Sequence, residues 1–304
     1  MKAKVQKKVP IKILSDMLEF VSSKNKKFDK MKTLMGKAKG RKNFIEHYIF
    51  LTLYKYLHNI GFTGLHSLVD SEKSSCGFIP ESEKTMRINI HRMLEYLRLW
   101  SKQYIYNRSS SDREEAAKLA KLPKSLKNCT LLIDSFDKKL IKSKESPSED
   151  DYYSGKIQHR ALRYTSIQDF NGFVNYLSNA YSPKVYDAQW VEVRSDMFEE
   201  NYQGLEFIAD THYSTCKNMF GNEILFHCKY VDDQRRNEGK GLTKSDKEWN
   251  NDISKNRGRV EQIHSIIQNQ FECLKNPWQE EFKIQEHIVH ISVACHNYNL
   301  LYLK

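Results

Sequence analysis

Apolar residues recur at steps of three or four through residues 43–106, which is the spacing of amphipathic helices. The stretch NFIEHYIFLTLYKYLHNIG predicts a helix that stops at Gly61, and a short helix follows around GLHSLVD. SEKSSCGFIP contains Gly and Pro, so it predicts a turn. A long amphipathic helix is predicted over ESEKTMRINIHRMLEYLRLWSKQYI, with core positions at Met86, Ile90, Met93, Leu94 and Leu97.

A short helix, a turn and a longer helix form the outline of a helix-turn-helix DNA reader. On the longer helix, Lys84, Arg87 and Arg92 fall outside the apolar stripe, so we expect them to contact DNA. Many all-helical domains share this outline, and a plain helical bundle is the alternative.

The pattern changes at Cys129, where short apolar runs replace the helical stripes. CTLLIDSF, GLEFIAD and EILFHCKYV predict strands, and the Asp-Phe-Asn-Gly turn at 169–172 predicts a hairpin. KVYDAQWVEVRSDMFEEN predicts a helix, and two further helices are expected near 255–275 and 279–303, the last one buried. Strands interleaved with helices predict an α/β fold, a sheet with helices on both faces.

Charge is distributed unevenly along the 304 residues. The net charge is +11, and residues 1–42 carry all of it, since they hold 14 basic against three acidic groups. Such a block suits a polyanion, most often nucleic acid, because neutralised phosphates release counterions. The alternative is a solvated lysine-rich segment without a partner.

Other classes are disfavoured by composition. No apolar run follows the first lysines, and no stretch approaches the length of a membrane span, so we expect neither a signal peptide nor membrane insertion. Six scattered cysteines without a CxxC pair indicate free thiols. A zinc site is a further hypothesis, although its spacing matches no usual finger; it would use His212, Cys216, His227 and Cys228.

Two predicted strands end on an aspartate, since LLID places Asp134 late in the first strand and FIAD places Asp210 at the end of another. Ligand sites of α/β folds lie at such strand ends. Glu261, in RGRVEQIH, flanks the apolar stripe of a predicted helix. Three carboxylates can hold two Mg²⁺ ions, which activate and stabilise oxygens in phosphodiester cleavage.

Ordinary structural roles compete with this hypothesis. Aspartate favours turns after strands, and Glu261 could simply pair with Arg257 at i, i+4. Asp137 should point to the opposite face of its strand from Asp134. We expect Asp187 to cap or orient a helix, and His264 to fill a polar niche.

Six blocks occur in a particular order over residues 125–304. They are IDSF, YYSGKIQHRALRYTSIQD, SPKVYDAQW, FIADTHYS, RGRVEQIHSIIQNQFECLK and VACHNYN. Their order resembles DDE transposases, specifically the PIF/Harbinger-type and related insertion-sequence transposases. The sequence departs from that pattern at Ser135, where glycine is expected, and at Thr211-His212-Tyr213, where Gly-Tyr is expected. It also departs at Gln262 and Gln268, where relatives carry basic residues.

The resemblance implies a ribonuclease H-like catalytic core. It implies that Asp134, Asp210 and Glu261 are the catalytic residues and ligands of two Mg²⁺ (or Mn²⁺) ions, and that Arg257 and Lys156 contact DNA. The implied activity is a Mg-dependent DNA transposase that cleaves element ends and transfers them into target DNA. A domesticated DNA-binding protein, or a nuclease that retains the fold, is the alternative.

The resulting division is a basic lead-in over 1–42, an all-α helix-turn-helix-like DNA-binding domain over 43–110, a linker over 111–128 and the catalytic domain over 129–304. The implied partners are terminal inverted repeats and target DNA. A homo-oligomer is expected because two DNA ends must be joined. The resembling proteins are eukaryotic, so a nuclear location is expected, with bacterial cytoplasm as the alternative.

Overall fold

A computed structural model of the protein describes residues 2–23, 44–71, 82–141, 149–230, 241–278 and 280–303. They form two compact units, of which one comprises Met1–Tyr104 with Ile267–Lys304 and the other Ile105–Ile266. Almost all of the predicted turn SEKSSCGFIP, and residues 24–42 of the basic lead-in, lie outside the described residues.

The helices are α1 (Lys2–Lys8), α2 (Ile11–Ser23), α3 (Phe44–Leu57), α4 (Phe62–Ser71), α5 (Glu83–Ser101), α6 (Ser110–Ala120), α7 (Asp187–Val193), α8 (Ser195–Tyr202), α9 (Lys244–Gln270), α10 (Glu272–Lys275) and α11 (Phe282–Tyr302). The strands are β1 (Cys129–Lys139), β2 (Tyr153–Ser154), β3 (His159–Gln168), β4 (Val174–Leu177), β5 (Glu206–Ile208) and β6 (Leu225–His227). Within the described ranges, no helix is long and apolar enough to cross a membrane.

The first unit is helical, and its long helix α5 follows the predicted pattern. Ser82 caps it by accepting a hydrogen bond from the Thr85 backbone N–H at 3.3 Å. Its buried stripe contains the predicted core positions Met86, Ile90, Met93, Leu94 and Leu97. The closing helix α11 is buried along most of its length and packs on α5, as its apolar sequence predicts.

The helix-turn-helix expectation remains a prediction, because most of the segment between α4 and α5 lies outside the described residues. On α5, Lys84 and Arg87 are exposed and Arg92 is half-buried. Arg87 forms an ion pair with Glu83 at 3.4 Å.

The second unit contains a mixed sheet with strand order β2-β3-β1-β5-β6, and β4 pairs with β3. β3 runs antiparallel to β1, whereas β5 and β6 run parallel to β1. The predicted hairpin joins β3 to β4. In its turn, the Asp169 carboxylate accepts from the backbone N–H groups of Asn171 and Phe173, and Gly172 adopts a φ of +86°.

Helices cover both faces of this sheet, as expected for the α/β class. One face packs Phe207 and Phe226 against Trp190 of α7 and Phe198 of α8. The other packs Leu132 and Ile208 against Ala116 of α6 and Ile253 and Val260 of α9. The sheet is therefore the buried centre of this unit.

Three features differ from the sequence prediction. The expected linker over 111–128 contains α6, which Ser109 caps by accepting from the Asp112 backbone N–H. The single helix expected after residue 184 is two helices, α7 and α8, separated at Arg194. The compact unit with the sheet covers Ile105–Ile266, so it begins earlier and ends earlier than the predicted domain over 129–304. The functional division into domains stays a prediction.

His264 links α9 to the sheet. Its Nε2 and the Ser166 hydroxyl of β3 are 2.7 Å apart, and its ring lies 4.5 Å from the ring of Phe136. Both polar groups are buried, so the predicted polar niche is confirmed. Because Ser166 pairs in register with Asp134, this contact places α9 beside that aspartate.

Phe198 is central to the packing on the α7–α8 face, and its removal should be costly. Its ring lies 5.5–6.1 Å from the rings of Trp190, Tyr202, Phe207, Phe220 and Phe226. We expect Phe198→Ala to lower the free energy of unfolding by about 3–5 kcal/mol in a urea titration. Tyr186→Ala, at a side chain 72% exposed, should change it by less than about 0.5 kcal/mol. Similar losses in both variants would contradict this packing.

His264 should make stability depend on pH. Burial, aided by Lys156 and Arg257, lowers the pKa of His264 from 6.5 to about 3. Below pH 6.5 the unfolded chain therefore binds a proton that the folded chain does not, and the free energy of unfolding falls toward pH 3 by up to about 1.4 kcal/mol per unit. We expect His264→Gln to flatten this acid-side slope in urea unfolding, while His212→Gln, at an exposed position, should not. An unchanged slope in His264→Gln would refute the assignment.

Candidate active site

Asp134 lies on β1, just beyond the end of its parallel ladder with β5. The ladder ends where Leu132 faces Ile208, so the β5 side of β1 is open at Asp134. The side chain is only 3% exposed, and its Oδ1 accepts from the Ser135 backbone N–H at 2.8 Å. The prediction that this strand ends on the aspartate is wrong, because β1 continues past Asp134 to Lys139 in its pairing with β3. Only the ladder with β5 ends before Asp134.

Asp210 lies two residues after the end of β5. It caps the 3-10 helix Thr211–Asn218, because its Oδ1 accepts from the Thr211 backbone N–H at 2.5 Å. Burial alone would raise the pKa of Asp210, but Arg257 and the Thr211 hydrogen bonds outweigh it and lower the pKa.

A single guanidinium joins these two aspartates to Glu261. One nitrogen of Arg257, Nη1, lies 3.4 Å from Asp134 Oδ2 and 3.2 Å from Asp210 Oδ2. Its Nη2 lies 2.7 Å from Glu261 Oε1, one helical turn further along α9. The three residues predicted as catalytic are therefore brought together, from two neighbouring strands and one helix.

The electrostatics of the cluster are those of a site that requires a cation. Burial raises the pKa of Asp134 to about 6, and Asp210 adds to the rise, whereas Lys156 and Arg257 oppose it. Three hard carboxylate oxygen donors suit Mg²⁺ or Mn²⁺. In this structure a guanidinium bridges the three carboxylates, so it is their chemistry as oxygen donors, and not their spacing, that fits a divalent cation.

Lys156, predicted from the resemblance as a DNA contact, lies near this cluster. It is exposed, follows β2, and its Nζ donates to the backbone oxygen of Ser135 at 3.2 Å. Its charge influences the pKa of Asp134. An exposed ammonium beside a carboxylate site is well placed to meet a phosphate.

The sequence reasoning missed a buried hydroxyl network behind the two aspartates. The Ser135 hydroxyl lies 2.9 Å from Thr165 and 3.1 Å from the Tyr213 hydroxyl, and Thr165 lies 2.6 Å from Tyr181. Ser135 and Tyr213 belong to the positions that depart from the expected motifs, and here they contact each other. This network connects the residue after Asp134 to the helical turn after Asp210. Its sequence signal is that Ser135 and Tyr213 both lie at positions that differ from the family motifs.

The neighbouring acids have structural partners. Asp137 faces Arg163 in register and accepts from its Nε and Nη2 at 2.7 and 2.9 Å. Asp187, the first residue of α7, lies 3.5 Å from another nitrogen of Arg163. These contacts agree with the prediction that Asp137 points away from Asp134 and that Asp187 orients its helix.

The hypothetical zinc ligands do not assemble. His212 is exposed, and Cys216 and Cys228 lie in the apolar cluster on one sheet face. His227 instead forms a 2.8 Å hydrogen bond with Glu206, and both lie near Cys129. The ligand atoms of Cys129, Glu206 and His227 lie within 4.8 Å of one another, so this group, and not the predicted set, could hold a metal ion. Burial raises the pKa of the Cys129 thiol in the absence of an ion.

Comparison with protein families matches residues 133–297 to the DDE superfamily endonucleases. No curated protein and no solved structure matches the chain. The matched region includes Asp134, Asp210, Arg257 and Glu261, and it spans more than half of the sequence. The chain therefore belongs to the DDE superfamily of endonucleases.

Proposed function

We propose that this protein is a DNA transposase of the PIF/Harbinger-like type. It hydrolyses a phosphodiester bond at the ends of its element and then joins the freed 3′-OH to target DNA. The observation that carries this proposal is the set of three carboxylates held by one cation where the ladder between β1 and β5 ends. Carboxylate oxygens are the ligands that hold divalent ions in sites that cleave phosphodiester bonds.

The strand order supports a ribonuclease H-like core. β1, β3 and β4 are antiparallel neighbours, and β5 and β6 extend the sheet in parallel on the other side of β1. Helices pack on both faces. In this arrangement Asp134 on the central strand β1 and Asp210 after β5 meet at one edge, as the family's chemistry requires.

Asp134, Asp210 and Glu261 would hold the two divalent ions. Mg²⁺ or Mn²⁺ bound there would activate an attacking water or 3′-OH and stabilise the leaving oxygen. Asp134 and Asp210 keep fixed positions because each has one oxygen hydrogen-bonded to the following backbone N–H. Glu261 is 56% exposed, so its side chain can adjust to substrate on the open side of the site.

DNA is the substrate that this family and the charge distribution favour. Lys156 would contact phosphates beside the carboxylates, and the basic residues 1–42 would add sequence-independent affinity. Lys84, Arg87 and Arg92 are proposed to read the terminal inverted repeats. Two ends must be cut and joined together, so the active form is proposed to be a homo-oligomer acting in the nucleus.

Neutralising any one of the three carboxylates should abolish cleavage. We expect Asp134→Asn, Asp210→Asn and Glu261→Gln each to reduce the rate of Mg²⁺-dependent cleavage by about 100-fold or more, because each removes a charged oxygen ligand. The substrate is a duplex that carries the DNA flanking this gene, and products are followed on denaturing gels.

Glu199→Gln is the matched control, since Glu199 is an exposed acid on α8. Undiminished cleavage in any of the three variants would remove that residue from the site. Cleavage of the flanking DNA without joined products would favour a nuclease over a transposase. DNA binding without any cleavage would favour a domesticated DNA-binding protein.

A further inference from the structure

The Arg257 guanidinium lies between the three carboxylates that are proposed to bind the metal ions. Its guanidinium contacts one oxygen from each of Asp134, Asp210 and Glu261, at 3.4, 3.2 and 2.7 Å. Resting on the proposed function, we propose that Arg257 is a built-in counter-cation, which holds the three carboxylates together until divalent ions displace it and which then binds a DNA phosphate.

The first step of the argument is electrostatic. A guanidinium has five N–H donors and no lone pair, so it cannot share in coordinating a metal. It is positively charged and occupies oxygens that a divalent ion would need. Arg257 and a metal bound to all three carboxylates therefore exclude each other, and apparent metal affinity must include the free energy of breaking the arginine contacts.

The second step concerns what holds Arg257. Its backbone is fixed in α9, which Ile253 and Val260 pack onto the sheet and His264 links to Ser166. The guanidinium is held by the three carboxylates, and 21% of the surface of the Arg257 side chain is exposed. Displacement thus needs only side-chain rotation toward solvent, with α9 remaining in place.

The third step concerns where the side chain goes. Arginine pairs with phosphate through two parallel N–H···O bonds. Once metal displaces Arg257 from the carboxylates, a DNA phosphate beside the site, which is also negatively charged, can accept these bonds instead. Lys156 does not have this dual role, because its Nζ contacts the backbone oxygen of Ser135. The exchange of partners would couple metal loading to DNA binding at the same residue.

Metal binding to the full-length protein tests this without any turnover. In isothermal titration calorimetry with Mn²⁺, we expect Arg257→Gln to bind Mn²⁺ at least about tenfold more tightly than the native chain, because no arginine contacts must be broken. In EDTA the same variant should melt at a lower temperature, because three carboxylates lose their cation. Mn²⁺ should raise its Tm more than it raises that of the native protein.

Two further variants make the result specific. Arg259→Gln, two residues along α9, removes an arginine that contacts the Ala120 backbone oxygen, and it should leave Mn²⁺ affinity unchanged. Arg257→Lys keeps the charge without the forked geometry and should fall between the native chain and Arg257→Gln. It also serves if Arg257→Gln does not fold in EDTA.

DNA binding provides the second readout. With Ca²⁺ present, the fluorescence anisotropy of a labelled random-sequence duplex should show weaker binding by Arg257→Gln than by the native chain. Without metal the two proteins should bind the duplex alike.

Equal or weaker Mn²⁺ binding by both Arg257 variants would overturn the counter-cation role. If the native chain binds Mn²⁺ and Asp134→Asn does not, the metal site at the carboxylates is supported independently of the role of Arg257. If neither the native chain nor Arg257→Gln binds Mn²⁺, the proposed metal-dependent function fails as well.

Discussion

Carboxylates that converge at one point of a folded chain must share either protons or a cation, and in this protein a cation lies among three of them. In this protein Asp134 is buried and lies with Asp210 and Glu261 around one guanidinium. Without a positive charge, desolvation of Asp134 and repulsion between the acids would cost several kcal/mol. Arg257 supplies that charge, and the surrounding structure fixes the positions from which the four side chains meet.

The supporting contacts are short and buried. The parallel pairing of β1 with β5 brings Asp134 and Asp210 to the same edge. The hydroxyl network from Ser135 to Tyr213 joins the segments that follow these aspartates on the other face of the sheet. The contact of His264 with Ser166 holds α9 over the site. The three contacts join β1 to β5, β1 to the turn after Asp210, and α9 to β3, so the cluster does not depend on any single loop.

Much of the site could be predicted from sequence because its parts are local. The apolar LLI and FIA runs predict the strands that carry or precede the aspartates, although β1 continues past Asp134 instead of ending on it. The i, i+4 spacing predicts the pairing of Arg257 with Glu261. The contacts of Arg257 with the two aspartates could not be predicted, because they depend on parallel pairing between strands about 75 residues apart in the chain. Likewise, the mostly polar residues of α6 favour a linker, although Ser109 is a recognisable helix N-cap.

The central claim is that these carboxylates form a divalent-cation site that Arg257 occupies until metal arrives. It is tested most directly by anomalous diffraction from crystals of the full chain soaked in Mn²⁺. The account predicts anomalous peaks among Asp134, Asp210 and Glu261, with the Arg257 guanidinium rotated out of the cluster. Saturating Mn²⁺ with no anomalous density there, and with Arg257 still bridging the three acids, would contradict it.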